Sequence, residues 1–199
     1  MPGPLESVGY GRVAHKARYD LPKEMSAGIG RVITRWSYAE ENVQNLLYEM
    51  LYVSDAVGRI AIREPRITDR LDMIIDLLAA EEIKLSPELM AEFKSIYEQA
   101  RQLSFFRDLF AHGAWYYSKQ HKSWCVTNTR GQWDSEAKKY GVSGKKRIFP
   151  EGRLIDPSVL RDICDELEEL IEKIMGLHVI IGIASHQALL DRQQQQSDR

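Results

Sequence analysis

Residues 23–53, KEMSAGIGRVITRWSYAEENVQNLLYEMLYV, decide the fold class. Apolar residues recur along this stretch at alternating steps of three and four, which places them in one stripe on a helix of about eight turns. The stripe consists of Ile29, Val32, Trp36, Ala39, Val43, Leu46, Met50 and Val53. The stretch therefore predicts a long amphipathic helix as the first element of the domain.

Three further helices are predicted downstream. Thr68 is placed as the N-cap of a second, shorter helix, and Ser86 with Pro87 marks the start of a third that ends near Gly113. Asp156 precedes the last helix, which is long and two-faced. Its apolar stripe consists of Leu160, Ile163, Leu167, Leu170, Ile174, Leu177, Ile181, Ala184 and Ala188.

Between the third and last helices the periodicity changes. The runs AWYYS (114–118) and SWCVTNT (123–129) are rich in aromatic and β-branched residues and predict a β-hairpin, followed by a basic loop. The predicted fold is all-α, a four-helix up-and-down bundle with the hairpin and loop inserted between helices three and four. The predicted organisation is an N-terminal arm (1–22), one domain (23–192, insertion 114–155) and a disordered tail (193–199).

The composition is that of a globular protein with an uneven charge. The 199 residues are 44% hydrophobic and 28% charged, which excludes disordered, collagen-like and membrane-spanning classes. The formal net charge is −2, but residues 114–153 carry nine basic and three acidic side chains, so this segment is +6 and the remainder −8. This distribution argues against a general nucleic-acid coat and permits one local basic site.

Several other classes are disfavoured. Cys125 and Cys164 lack neighbours at metal-ligand spacing, so neither a metal site nor a disulfide framework is predicted. The first residues show no signal peptide, and a cytoplasmic location is expected. The apolar run 174–184 is about half of the roughly 20 residues that a membrane span needs, and we interpret it as a buried or dimer-facing helix segment.

The end of the third helix carries a chemically interesting set of residues. Arg107 is the one charged residue on an otherwise apolar seam, where a guanidinium is costly unless it is paired or serves a ligand. Asp108 and His112 lie four residues apart on one helix face, so the carboxylate could orient the imidazole. The residues are also consistent with a structural alternative, a capping histidine beside an Arg–Asp pair that ties helices together.

The string RDLFAHG, residues 107–113, resembles the Arg-x4-His signature of the HEPN superfamily (higher eukaryote and prokaryote nucleotide-binding domains). The resemblance covers residues 23–113 and 156–190 and implies an all-α bundle. Many HEPN proteins are metal-independent endoribonucleases, often toxins or antiviral effectors, and dimerise so that two Arg/His sets share a cleft. Some toxin members carry a Tyr two residues after the His, where this chain has Ala114.

The resemblance implies a site and a reaction. Arg107, Asp108 and His112 would be catalytic, single-stranded RNA would be cut to 2′,3′-cyclic phosphate ends, and neither metal nor cofactor would be needed. RNA-binding candidates are Lys138, Lys139, Lys145, Lys146, Arg147, Trp115 and Tyr116, with Trp124 as a further stacking candidate. The alternatives are a solvated loop for the basic residues and burial of one hairpin face for the aromatic ones.

Other functions and other charged residues remain open from the sequence. The chain could instead be a noncatalytic dimeric binding or assembly module, or the antitoxin or nucleotide-binding partner of a two-gene system. A homodimer, RNA and a regulatory partner are the expected partners, and no membrane is expected. Arg63, Arg66 and Arg70 could extend a phosphate track but more commonly pair with nearby acids, and His178 and His186 are interpreted as structural.

Overall fold

The computed structural model describes the backbone of residues 7–8, 21–62, 66–80, 83, 85–118, 121–128, 132–133, 147–148 and 152–197. This part of the chain is mostly helical, as predicted. The helices are α1 (Lys23–Met50), α2 (Asp55–Ala61), α3 (Ile67–Ala80), α4 (Pro87–His112) and α5 (Pro157–Ser197).

The strands form one larger sheet and one two-stranded ribbon. They are β1 (Ser7–Val8), β2 (Gly113–Ser118), β3 (Ser123–Asn128), β4 (Gln132–Trp133), β5 (Arg147–Ile148) and β6 (Gly152–Ile155). The larger sheet has the order β1-β6-β3-β2, with every described neighbour antiparallel, and β4 pairs with β5. The predicted hairpin is therefore confirmed as β2–β3, and β1 lies within the predicted N-terminal arm.

The chain forms two compact units, each with its own buried residues. The first contains residues 1–34 and 105–166, and the second contains residues 35–104 and 167–199. The first unit buries Met25, Val32, Leu109, Phe110, Tyr116, Cys125, Val126, Ile155, Leu160, Ile163 and Cys164. The second buries most of the predicted helical stripes, including Trp36, Ala39, Val43, Leu46, Leu71, Ile74, Leu78, Ile96, Leu167, Leu170, Ile174, Leu177 and Ile181.

Two of the three predicted helix starts are confirmed. The Ser86 hydroxyl accepts from the Leu89 amide at 3.3 Å, and Asp156 Oδ1 accepts from the amides of Ser158 and Val159. The predicted Thr68 cap is wrong, because α3 begins at Ile67. There the Asp69 carboxylate reaches back to the Arg66 amide at 3.1 Å, as in one half of a capping box.

The short helix α2 was not predicted. Its N-cap is Ser54, whose side chain accepts from the Val57 amide at 3.4 Å, and its one buried residue is Gly58. An added Cβ on Gly58 would lie 2.5 Å from the Tyr48 ring. Because the helix contacts its unit through a glycine, it has no apolar stripe for a periodicity analysis to detect.

Helix α5 continues further than predicted. It ends at Ser197, so most of the tail expected to be disordered is helical. Glutamine is a good helix former and simply extends the helix that precedes it. No helix in the described part of the chain is long and apolar enough to cross a membrane.

Removal of the α5 cap should destabilise the protein measurably. Hydrogen bonds to Asp156, first from the Ser158 hydroxyl and then from amides, hold the pKa of its carboxyl below the ordinary value. We expect Asp156→Ala to lower the free energy of unfolding by about 1 kcal/mol at neutral pH. Since a lowered pKa stabilises the fold above the unfolded-state pKa, this contribution should vanish as the pH falls through the lowered pKa.

The comparison variant for this experiment is Asp156→Asn, which keeps a capping oxygen without the charge. Urea denaturation at neutral pH should show a smaller loss of unfolding free energy for Asp156→Asn than for Asp156→Ala. The loss for Asp156→Asn should also shrink in acid, because the wild-type carboxyl is then uncharged as well. A difference between wild type and Asp156→Ala that persisted unchanged in acid would contradict the capping role of the carboxylate.

Candidate functional site

Arg107 lies where the buried seam of α4 reaches the surface. Leu103 and Phe110, its neighbours on the seam, are buried, whereas the Arg107 side chain is 34% exposed. Its Nη1 donates to Asp108 Oδ1 at 2.8 Å, and Asp108 is its one partner among the described residues. A guanidinium has five N–H donors, and this bond uses one of them.

His112 is the last residue of α4 and is exposed. On an α-helix, Arg107 and His112 are about 140° apart around the axis, while Asp108 and His112 are about 40° apart. The bond to Asp108 therefore draws the guanidinium of Arg107 round the helix toward the side that carries His112. The helix C-terminus favours positive charge at this position.

The C-terminal end of α4 is held by contacts between three aromatic rings. The ring centroids of Phe106 and Phe110 are 6.2 Å apart, and those of Phe110 and Trp115 are 5.7 Å apart. The indole N–H of Trp115 donates to the Phe110 carbonyl at 3.5 Å, near the end of α4 where carbonyls lack helical partners. Trp115 is thus half-buried and ties β2 to the helix that carries Arg107 and His112.

Gly113 allows the chain to turn from α4 into β2 without a gap. A Cβ at this position would lie 2.2 Å from the Leu109 carbonyl oxygen and 2.4 Å from Val126 Cγ2. The space beside Gly113 is occupied by this unit's own atoms, so the glycine does not open the backbone to a ligand. Packing leaves no room for a side chain at this position, so a glycine is required.

The two neighbouring tyrosines of β2 have opposite environments. Tyr116 is 8% exposed and packs with Cys125 and Leu154, so its ring is not available to a stacked base as the sequence had suggested. Tyr117 is 45% exposed and contacts its cross-strand partner Trp124 edge to face at 5.7 Å. Because side chains alternate along a strand, Tyr117, and not Tyr116, is the β2 tyrosine open to solvent.

The predicted RNA-binding lysines Lys138, Lys139, Lys145 and Lys146 lie outside the described residues. The backbone of Arg147 belongs to β5, where it pairs with Trp133. Among the described residues of the insertion, His121 and Lys122 are exposed in the β2–β3 turn. The turn therefore presents basic side chains between the strands that carry Tyr117 and Trp124.

Charged residues elsewhere have structural contacts. Arg70 is buried and its Nη1 donates to the Glu40 carbonyl at 3.1 Å, which removes it from a phosphate track. His178 Nε2 lies 2.5 Å from Glu49 Oε2, a pair that joins α5 to α1. Glu49 is 129 residues away in the chain, so sequence spacing gave no signal for this contact.

In the part of the chain that the structure describes, neither the thiols nor the possible metal ligands form a further site. Cys125 and Cys164 are free and buried, and burial raises the pKa of the Cys125 thiol, which keeps it protonated and unreactive. Within the described residues, no group of three or more His, Cys, Asp or Glu side chains is arranged to hold a metal ion.

Comparison of the chain with protein-family models, with curated proteins and with solved structures finds no match.

Proposed function

We propose that this chain is a HEPN-like, metal-independent endoribonuclease that cuts single-stranded RNA. The observation that carries the proposal is the end of α4, where the partly exposed Arg107 is held by Asp108 toward the side of His112. This places on one surface a cation that can stabilise the phosphate and a group that can remove the proton of a 2′-hydroxyl.

In this mechanism His112 removes the proton from a ribose 2′-hydroxyl, whose oxygen then attacks the adjacent phosphorus. Arg107 donates hydrogen bonds to the non-bridging phosphate oxygens as negative charge builds up on them. The bond from phosphorus to the 5′-oxygen breaks, and that oxygen takes a proton from an imidazolium. The products are a 2′,3′-cyclic phosphate and a 5′-hydroxyl.

The acid in this reaction would be His112 of a second copy, so the active form is proposed to be a homodimer in the cytoplasm. Asp108 is proposed to orient His112, although the bond that it makes in this structure is to Arg107. The aromatic side chain best exposed for a stacked base is Tyr117, with Lys122 available to the RNA backbone. Substrate recognition is therefore assigned to the hairpin as well as to the basic segment.

The proposal includes the arrangement of the four long helices. Helices α1, α3, α4 and α5 are proposed to form the four-helix up-and-down bundle of a HEPN domain, with α2 in the connection between the first two. Support comes from their lengths of 28, 14, 26 and 41 residues and from their buried apolar stripes.

Purified protein should cut single-stranded RNA in excess chelator. The same oligonucleotide with 2′-O-methyl groups should remain intact, because the nucleophile is blocked, and the RNA products should carry cyclic phosphate ends by mass spectrometry. Intact RNA over a wide range of sequences, or cleavage of DNA at the same rate, would overturn the proposal.

A noncatalytic binding or assembly module is the second candidate. It is favoured by the ion pair between Arg107 and Asp108, since a paired guanidinium also serves as a structural element. On this alternative, Arg107→Ala would lower the melting temperature or the dimer affinity and no variant would change RNA integrity. Cleavage by wild type that is lost in Arg107→Ala at unchanged stability would exclude it.

A further inference from the structure

An apolar face on α5 is left uncovered by the described residues of the second unit. Met175, Val179, Ile180, Ile183 and Leu190 are between 38% and 67% exposed, although all are large aliphatic residues. They fall within one side of the helix, and the chain has no Asp, Glu, Lys or Arg between Lys173 and Asp191. The polar side chains His186 and Gln187 are exposed on the same side between Ile183 and Leu190, so the apolar surface is interrupted there. An exposed aliphatic cluster such as Met175, Val179, Ile180 and Ile183 is typical of an interaction site.

The central row of this face has a large–small pattern. Gly176, Ile183 and Leu190 follow one another at seven-residue spacing, about 21 Å from end to end, and so lie nearly in line along the helix. A Cβ added to Gly176 would meet nothing within 4 Å. Packing within the described part of the chain therefore does not explain this glycine, which makes an exposed helix less stable than alanine would.

We propose that the α5 face from Met175 to Leu190 binds the same face of a second copy of this chain, with the two helices antiparallel. A two-fold axis at Ile183 places Ile183 against its own copy and seats each Leu190 over the partner's Gly176. Large and small residues then alternate across the contact, as close helix packing requires.

The charges at the ends of the face select the antiparallel arrangement. The same axis puts Glu172 beside the partner's Gln194, and both residues are exposed. A parallel pair would place Glu172 against Glu172, Leu190 against Leu190 and Gly176 against Gly176. That arrangement combines like-charge repulsion with one overcrowded and one empty position.

A lipid surface is the less suitable occupant for the same face. Interfacial helices are rich in Lys and Arg on their polar side, which attracts them to anionic lipids. From residue 158 to residue 173, α5 has six acidic and two basic residues. The helix is therefore expected to be repelled by such a membrane, whereas a second copy offers a face without Asp, Glu, Lys or Arg, on which Leu190 can pack over Gly176.

Sedimentation velocity of the full chain should show a dimer that two substitutions weaken. Ile183→Glu places two carboxylates at the axis, and Gly176→Leu fills the seat of Leu190; each should weaken dimerisation at least about tenfold. Gly176→Leu should at the same time raise the intrinsic stability of the helix, so misfolding cannot explain its effect. The matched control is Ile60→Glu on α2, because Ile60 is 82% exposed and lies outside this face.

Thiol cross-linking distinguishes the two orientations. Ile183→Cys should cross-link to itself, and Leu190→Cys should cross-link to Gly176→Cys in a mixture but not to itself; the buried native cysteines give little background. A monomeric wild type, a dimer indifferent to Ile183→Glu, self-cross-linking of Leu190→Cys, or binding to anionic vesicles would each overturn the inference. This contact is separate from the pairing of two Arg107–His112 sets proposed above, because it holds the first residues of the two α5 helices about 80 Å apart, and Pro157 belongs to the same compact unit as His112. It does not rest on the proposed ribonuclease function, since a dimer of this kind that leaves RNA intact refutes only that function.

Discussion

Replacement of His112 by alanine is expected to slow RNA cleavage by about 10²–10⁴-fold, the usual contribution of a general acid or base. If both copies supply an imidazole, one substitution removes the base and the acid together, which favours the upper part of this range. The measurement is the initial rate of cleavage of a single-stranded RNA in excess chelator, under conditions where wild type turns over.

The matched control is His121→Ala. Like His112, His121 is exposed and belongs to the first unit, but it lies in the hairpin turn away from the Arg107–Asp108 pair. We expect this variant to retain its cleavage rate to within a few-fold, with any loss appearing in the affinity for RNA. Equal rates for wild type and His112→Ala would remove His112 from the chemistry.

The stability of His112→Ala gives a separate readout. His112 is exposed at the end of α4, so its contribution to folding through the helix terminus should not exceed about 1 kcal/mol. A cleavage rate that falls by two orders of magnitude while the melting temperature barely changes is therefore expected. A large fall in melting temperature with no effect on RNA would instead support the structural interpretation of this residue.

Local signals in the sequence predicted much of the helical framework. Ser86 and Asp156 are N-caps in both sequence and structure, because a cap depends on residues within one turn. Thr68 was wrongly predicted as the N-cap of the helix. The Asp69 carboxylate instead accepts a hydrogen bond from the Arg66 amide, one residue before α3 begins. The α2 helix escaped detection because Gly58 is its one buried residue.

Contacts between distant segments decided the features that sequence analysis missed. Whether Tyr116 or Tyr117 faces the core depends on which side of β2 is covered, and the packing of Tyr116 with Leu154 of β6 settles it. Arg70 and His178 are held by Glu40 and Glu49, partners that neither helical spacing nor charge pattern can identify. The Arg107–His112 pair was visible because both lie on one helix, but the direction in which Asp108 draws the guanidinium was not.

The apolar run 174–184 also shows which features a local sequence pattern can predict and which it cannot. Its composition suggested a buried or dimer-facing segment, and the structure divides the run by exposure: Ile174, Leu177 and Ile181 are buried, while Val179 and Ile183 are exposed. Periodicity could find the buried stripe because it continues the pattern of the preceding turns. It could not identify the exposed row, because the buried and the exposed positions of this run carry the same aliphatic residue types.

Substitution of Gly113 by alanine is expected to destabilise the first unit by on the order of 3 kcal/mol, a large effect for one methyl group. The new Cβ would overlap a backbone oxygen, that of Leu109, at 2.2 Å, and the carbonyl of Thr127 would lie 3.1 Å away. A flexible side chain could move aside, but these oxygens are held in α4 and β3, so the junction between helix and strand must shift.

Gly30→Ala is the matched control for Gly113→Ala and should change stability in the opposite direction. Gly30 lies in α1 of the same unit, and a Cβ there would meet nothing within 4 Å, so alanine should stabilise the helix by up to about 1 kcal/mol. In thermal unfolding, Gly113→Ala should lower the melting temperature by about 10 °C and Gly30→Ala should raise it slightly. Because Gly113 directly follows His112, a Gly113→Ala protein kept below its melting temperature should also cleave RNA more slowly than wild type. Equal melting temperatures for Gly113→Ala and wild type would show that the close approach of Leu109 and Val126 to Gly113 does not hold in solution.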